Sequence, residues 1–217
     1  MTKGLILLSG GLDSLVSLDI AFKTVEIKLA VIFNYGQKSY KEEKDASIKI
    51  AKHYGIEHKI IRLPYLKELT NNSYTNSDNS KLDDINSVWI PNRNGLFLNI
   101  ACSICESLDL DTVVFGANKE EAQEFPDNSK KFVDYCNKLF EFSSKKKVKV
   151  LAPCLQFDKI QIINYAIDNS LPLNFIKSCY NSNLNTGRKH CGKCMSCKLL
   201  YEAILKSKKP ELVKEIF

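Results

Sequence analysis

The stretch "LILLSGGLDSLVS", Leu5–Ser17, decides the fold. Leu5 to Leu8 form a short unbroken apolar block, the pattern of a strand buried on both faces, and Leu12, Leu15, Val16 and Ile20 then recur at helical spacing. A serine, two glycines and an aspartate therefore sit in a strand-to-helix turn. Such a turn aims free backbone N–H groups and the positive end of a helix dipole at one point, and glycines let an anion approach that backbone closely. A phosphate fits there, and so does a plain tight turn in which Ser9 caps the helix.

The order of residues narrows the choice. No Lys-Ser/Thr follows the glycines and there is no Gly-x-Gly-x-x-Gly, so neither a Walker loop nor a dinucleotide fingerprint is present. Ser9-Gly10-Gly11-Leu12-Asp13-Ser14 resembles the SGGxDS loop of the PP-loop ATP pyrophosphatases, which grip the pyrophosphate of ATP while an adenylate forms.

Outward from this loop, strand alternates with helix. "KLAVIFNYGQ" reads as a second buried strand, Lys38 to Tyr54 as a helix closed by Gly55, and "EHKIIRL" as a third strand. A helix over Gly95–Ser107 leads into "DTVVFGA", and a helix from about Asp127 to Ser144 leads into "VKVLAP". This alternation predicts an α/β fold, a Rossmann-like parallel sheet with helices on both faces, whose ligands bind at the carboxyl ends of the strands where strand order reverses. Residues 70–87, "TNNSYTNSDNSKLDDINS", carry few large apolar side chains and are expected to form a loop outside the core, either a surface insertion or a lid.

The 217 residues suffice for one well-buried core with a small appended module. The expected division is a nucleotide-binding domain over 1–175 and a metal-binding module over 176–217. The chain enters a strand within a few residues and has no apolar run near the ~18 residues of a membrane span, so a cytoplasmic protein without membrane contact is expected. A net charge of +6, much of it in Lys145–Lys147, Lys149, Lys206, Lys208 and Lys209, reads as solvated lysine faces, and nucleic acid is not an expected partner.

Eight cysteines in a reducing compartment do not imply four disulfides. Cys191-x2-Cys194-x2-Cys197 brings three thiols onto a tight turn, and Cys179 lies upstream across a polar stretch that can loop back. Four thiolates make a closed tetrahedral site suited to one structural zinc per chain; an iron–sulfur cluster is the competing occupant. His190 is a weaker ligand candidate, better suited to substrate or to groups around the cage. Cys102 and Cys105 imitate a redox pair but lie inside an apolar helix, and Cys136 and Cys154 stand alone, so all four read as core residues.

Three further stretches act together with the loop: "IPNRNGLFLNIA" at Ile90–Ala101, "GANKEEAQEFPDNSKKF" at Gly116–Phe132, and the terminal cysteines. With "FNYGQ" they resemble the 7-cyano-7-deazaguanine synthase family of queuosine biosynthesis over nearly the whole chain. The resemblance implies an ATP-dependent ligase, a homodimer, that binds ATP with Mg2+ and one zinc. It implies activation of the carboxylate of 7-carboxy-7-deazaguanine and conversion with ammonia, through an amide, to the nitrile.

On that resemblance, Leu8, Ser9, Gly10, Gly11, Leu12, Asp13 and Ser14 hold ATP, with Asp13 holding magnesium or orienting the loop. Asp13, Ser14, Arg93 and Lys119 are the expected catalytic residues. Tyr35, Gln37, Asn92, Arg93, Asn94, Lys119, Glu120, Glu121, Phe125, Asp127 and Asn128 are expected to meet the substrate. Arg93 offers a planar fork for a carboxylate or phosphate, the acids and amides suit a guanine-like edge, and Tyr35, Phe125 or Tyr180 supply stacking faces. The chain departs from the family's usual pattern at Lys38-Ser39, at Lys177, in the longer "NSNLNTGRK", and at Lys198-Leu199-Leu200. Those departures keep open a variant in which the activated acid passes to another acceptor such as a protein amine. Two competing readings stand apart from them, a tRNA-modifying PP-loop ATPase and a non-catalytic nucleotide sensor; the modest positive charge argues against the first, and the "PNRN" and "EFPDNS" stretches against the second.

Overall fold

The computed structural model describes residues 1–70, 72–75, 82, 84–181 and 190–217. Five strands, β1 (Thr2–Leu7), β2 (Val25–Asn34), β3 (Glu57–Arg62), β4 (Thr112–Val114) and β5 (Lys149–Leu151), form one all-parallel sheet in the order β3-β2-β1-β4-β5. Strand order reverses at β1, so the crevice between the loops after β1 and β4 is the switch point where a parallel sheet opens a ligand site. Ser9–Ser14 follows β1 and Gly116 follows β4, as the sequence pattern predicts.

The connecting helices are α1 (Leu12–Phe22), α2 (Tyr40–His53), α3 (Tyr65–Leu69), α4 (Ile85–Val88), α5 (Arg93–Ser107), α6 (Glu121–Glu124), α7 (Lys130–Ser143), α8 (Lys159–Asp168), α9 (Met195–Leu205) and α10 (Val213–Ile216). Alternation along β1 sends Leu5 to one face and Ile6 to the other. On the Leu5 side, Leu98, Ala101 and Cys105 of α5 and Val133, Cys136 and Phe140 of α7 pack; on the Ile6 side, Leu15 and Leu18 of α1, Ile50 of α2 and Ile162 and Ile163 of α8 do so. Both faces are covered, which accounts for the unbroken apolar runs in the central strands. Cys102 and Cys105 are core residues, and burial pushes the Cys105 thiol up to about 12.

α7 starts three residues later than the periodicity suggests. Pro126–Asn128 forms a 3-10 turn, and Ser129 then caps the helix by accepting from Phe132 N at 3.1 Å. α8 lacks a counterpart in the sequence reading, although "DKIQ" at Asp158–Gln161 folds into a capping box.

The expected loop over 70–87 needs correction. Residues 71, 76–81 and 83 lie outside the described residues, but Asn72, Tyr74, Thr75, Leu82 and Val88 are buried. Tyr74 packs edge-on to Tyr35 and against Tyr180, which draws this polar stretch into the core. At the other end, α9 buries Leu200, Ala203 and Ile204 in the apolar cluster shared with α1 and α8.

Candidate functional site: a phosphate loop, a buried arginine and a thiol cage

A cavity of about 200 Å³ opens at the switch point, with an adjoining pocket of about 60 Å³. Its floor is the turn after β1. Gly10 takes φ +78°, and a Cβ there would meet Glu43 O at 2.7 Å and the Ala46 Cβ at 2.8 Å, so this position requires glycine. Gly116 closes the other lip, where a Cβ would stand 2.9 Å from Ser14 N. No side chain caps α1 at Gly11, which leaves its positive end facing the cavity. Ser14 Oγ donates to Gly11 O at 2.9 Å, and Ser9 Oγ lies 3.2 Å from Ser14 Oγ. Leu8, Ser9, Gly11, Leu12, Asp13 and Ser14 line the cavity, while Gly10 sits behind them against α2.

Asp13 is engaged by a residue that sequence reasoning missed. Lys159 Nζ donates to both Asp13 oxygens, at 2.9 and 2.6 Å, from the first position of α8. The signal was the Asp-x-x-Gln cap just past the fifth strand, which places Lys159 at the sheet's carboxyl edge. Lys119, the expected cation, is exposed and outside both pockets, because its N–H is tied to Phe157 O at 3.0 Å and its side chain points to solvent.

The opposite wall is aromatic and cationic. The Arg93 guanidinium lies 5.7 Å above the Tyr35 ring and 6.0 Å from Phe97, and its Nη1 donates to Tyr35 Oη at 3.4 Å. Among the described residues its buried Nε–H finds no acceptor. A buried donor without a partner costs free energy that an incoming anion would recover. Burial pushes the Tyr35 hydroxyl up to about 12, so it stays neutral.

Other expected substrate residues divide. Asn94, Glu121 and Asn128 line the cavity, and Phe125 lines the smaller pocket, stacked on Trp89 at 5.2 Å. Burial holds the Glu121 carboxyl above its ordinary value, against the pull of Lys159. Gln37 reaches the cavity but is spent on bracing: Nε2 donates to Phe33 O and Glu43 Oε2, and Oε1 accepts from Tyr35 N. Asp127 lies behind the wall and accepts from Asn94 N at 3.0 Å, fixing Asn94 in place. Asn92, exposed at φ 55° before α5, and Glu120, which accepts from Lys159 N, line neither pocket. Tyr74 and Glu43 are additions: the Tyr74 hydroxyl donates to Glu43, which also accepts from Ser39. Ser39, a departure from the family pattern, thus serves a buried network beneath the cavity.

The cysteines lie next to Ser178, Tyr180 and Ser196, which complete the wall. The sulfurs of Cys179, Cys191, Cys194 and Cys197 all lie within 4.8 Å of one another, a metal-binding arrangement. Without a cation the four cannot all ionise: hydrogen bonds from Cys194 and Cys197 hold Cys179 well below the ordinary thiol range, while Cys179 pushes Cys194 up to about 12. Four sulfurs this close together suit a metal ion among them. Cys179 stands between cavity residues Ser178 and Tyr180, and Lys177 N donates to Gly10 O at 2.8 Å, so cage and phosphate loop share one strap. His190 is fully buried beside it, accepting from Ser178 N at Nε2 and meeting Ile216 O at Nδ1, rather than facing substrate.

A parallel sheet with its phosphate loop at the switch point and a thiol cage on its rim defines a nucleotide-using PP-loop enzyme. The solved U34-tRNA thiolase NcsA from Methanococcus maripaludis, described with its 4Fe-4S cluster, shares this fold with a TM-score of 0.53 at 18% identity, covering 100% of this chain and 73% of that one. The family described as queuosine biosynthesis protein QueC matches residues 3–208. Among relatives, the 7-cyano-7-deazaguanine synthase of Methanosarcina mazei is 40% identical over 212 residues, 90% of each chain. That of Carboxydothermus hydrogenoformans is 38% identical over 215 residues, 94% of this chain and 98% of the relative. The chain belongs to the QueC family, and it is an enzyme of the ATP-dependent ligase type. Among the described residues no helix is long and apolar enough to cross a membrane.

Proposed function

We propose that the cavity adenylates 7-carboxy-7-deazaguanine and passes the activated acid to ammonia, giving an amide with release of AMP, and that a second ATP adenylates the amide oxygen, which leaves on AMP as the nitrile of 7-cyano-7-deazaguanine forms. The observation that carries this reading is one cavity with a glycine-built phosphate loop on its floor and an arginine with an unsatisfied donor on its wall. A carboxylate is a poor acyl donor; its oxygen must attack the α-phosphorus of ATP while pyrophosphate leaves with its charge compensated. The backbone of Ser9–Ser14 and the N-terminus of α1 cradle the phosphates. Asp13, a carboxylate on the cavity wall, would hold the Mg2+ that neutralises the phosphate charge. Arg93 receives the substrate carboxylate as a bidentate fork and holds it toward the phosphates. The heterocycle lies among Tyr35, Tyr74 and Tyr180, with Glu121 and Asn128 reading its donor and acceptor edge.

We assign zinc to the cage. A Zn–S bond of about 2.3 Å gives tetrahedral sulfur–sulfur edges of about 3.8 Å. Cys191 and Cys197 stand 3.8 Å apart, whereas a cubane cluster spreads its cysteines further. On this reading residues 176–217 form the module that closes the cavity over the domain of 1–175, and the enzyme works as a homodimer in the cytoplasm.

Mass spectrometry after incubation with ATP, magnesium and 7-carboxy-7-deazaguanine, first without and then with ammonium, tests the reaction. An adenylate without ammonium and a nitrile with it is the expected result. An adenylate that never advances redirects the acyl group to another acceptor, such as a protein amine, and no adenylate rejects the substrate.

A further inference from the structure

The pocket of about 60 Å³ beside the main cavity has room for a few molecules the size of water, each of which needs roughly 10–15 Å³ of such space. Arg93, Glu121 and Tyr180 line both spaces and so stand between them, while Trp89 and Phe125 belong to the smaller one alone. The Trp89 and Phe125 rings stack with 5° between their planes and are half-buried, which puts a stiff aromatic rim where the pocket nears the surface. Tyr180 is held against Tyr74 at 4.8 Å. Three rings and a carboxylate around so small a space favour a small cation, since ring faces and Glu121 attract positive charge. The charged groups that act on Glu121 are Lys159, Asp13 and Arg93. Lys159 and Asp13 are paired with each other, and on the reading above Arg93 is answered by the acid it holds. Glu121 is then the carboxylate left to meet a cation in the smaller pocket.

We infer that this pocket binds ammonium and that Glu121 is a catalytic residue, the acceptor of the protons that the nitrogen sheds. This rests on the adenylation reading above, whose nitrogen source it places. An acid held on Arg93 reaches the partition from one side, and ammonium reaches it from the other. The nitrogen gives one proton to Glu121, and its freed lone pair bonds to the acyl carbon. The bond from that carbon to the phosphate oxygen of the adenylate breaks, and the electron pair leaves on AMP. A second proton then passes from nitrogen to Glu121 to leave the neutral amide; each proton returns to water through the aromatic rim, and no redox equivalent moves. Burial raises the Glu121 carboxyl above its ordinary value, which suits it to hold a proton between these transfers. A pocket beside the cavity also lets nitrogen enter while ATP and acid occupy the main space.

Two rates separate this site from the acid site: acid-dependent ATP–pyrophosphate exchange without a nitrogen source reports adenylation, and amide formation followed by mass spectrometry reports nitrogen transfer. Trp89→Leu is expected to raise the KM for ammonium about tenfold with a much smaller change in exchange, while Trp89→Phe keeps a ring and stays within about threefold of the wild type. Glu121→Gln is expected to slow amide formation about 100-fold, the low end for losing a general base, and to slow exchange far less. Its effect on folding is small, so the lost rate is not a lost fold. Hydroxylamine is neutral at neutral pH and has one proton fewer to shed, so its conversion to the hydroxamate should suffer less in Glu121→Gln than the ammonium reaction does. An unchanged ammonium KM in Trp89→Leu, or equal slowing of exchange and of both nitrogen transfers in Glu121→Gln, would overturn the proposal. Absence of acid-dependent exchange in the wild type would instead reject the adenylation reading, and the ammonium site with it.

Discussion

The two halves of the cavity are built in opposite ways. The half proposed for phosphate comes from seven consecutive residues, Leu8–Ser14, a turn of backbone N–H groups that depends on the glycine at 10. The half proposed for the acid gathers Tyr35, Tyr74, Arg93 and Tyr180 from four distant segments and presents side chains to the cavity. One half is a local consequence of sequence; the other exists only after the sheet, α5 and the cysteine strap have assembled. Substitutions therefore have different consequences in the two halves, and each expectation below probes that difference.

The largest effect is expected at the strap. Cys194→Ser removes one of the four sulfurs of the cage proposed for zinc, and structural zinc contributes directly to folding, typically about 10–16 kcal/mol of apparent binding free energy. Elemental analysis should show loss of stoichiometric zinc, with a lower melting temperature; full metal content and unchanged stability would detach the acid half from the cage. Arg93→Ala comes next, with an expected loss of about 2–5 kcal/mol in kcat/KM, while Arg93→Lys rescues little because a point charge does not replace a fork.

Gly10→Ala attacks the phosphate half through its backbone. A left-handed residue other than glycine costs about 1–3 kcal/mol, and the clash with Glu43 O and Ala46 adds to it. Thermal melting should fall along with activity, in contrast to Arg93→Ala, which should leave melting nearly unchanged. Tyr74→Phe removes the hydroxyl that links Glu43 and Ser39, an expected cost of about 1 kcal/mol in stability. Glu121→Gln has the smallest effect and the opposite sign. Burial raises the carboxyl's value in the folded state, so the ionised form opposes folding at neutral pH, and the glutamine variant should melt slightly higher there. That gain should vanish as pH falls below 4.5, where the carboxyl is protonated in both states.

Legibility followed the same division. The buried strand, the two glycines and Asp13 are neighbours in sequence, and the Cys-x2-Cys-x2-Cys run sets its own turn, so both were readable before any fold was known. Lys159 was not, because its partner Asp13 lies 146 positions away and only the cap at Asp158 marks the helix that delivers it. Tyr74 was hidden differently: the polar composition of 70–87 reads as exposed, yet one ring packed between Tyr35 and Tyr180 brings that segment inside. Lys119 and Glu120 sit at the correct sheet edge but face away from the cavity, a matter of side-chain direction that spacing alone does not encode.

The central claim is that the acid half presents a carboxylate oxygen to the α-phosphorus of ATP held by the other half. Oxygen-18 placed in the carboxylate of 7-carboxy-7-deazaguanine, followed by mass spectrometry of the nucleotide products with ammonium present, tests it directly. The predicted result is AMP carrying one labelled oxygen, released together with unlabelled pyrophosphate. Label in inorganic phosphate with ADP as the nucleotide, or unlabelled AMP, would contradict it.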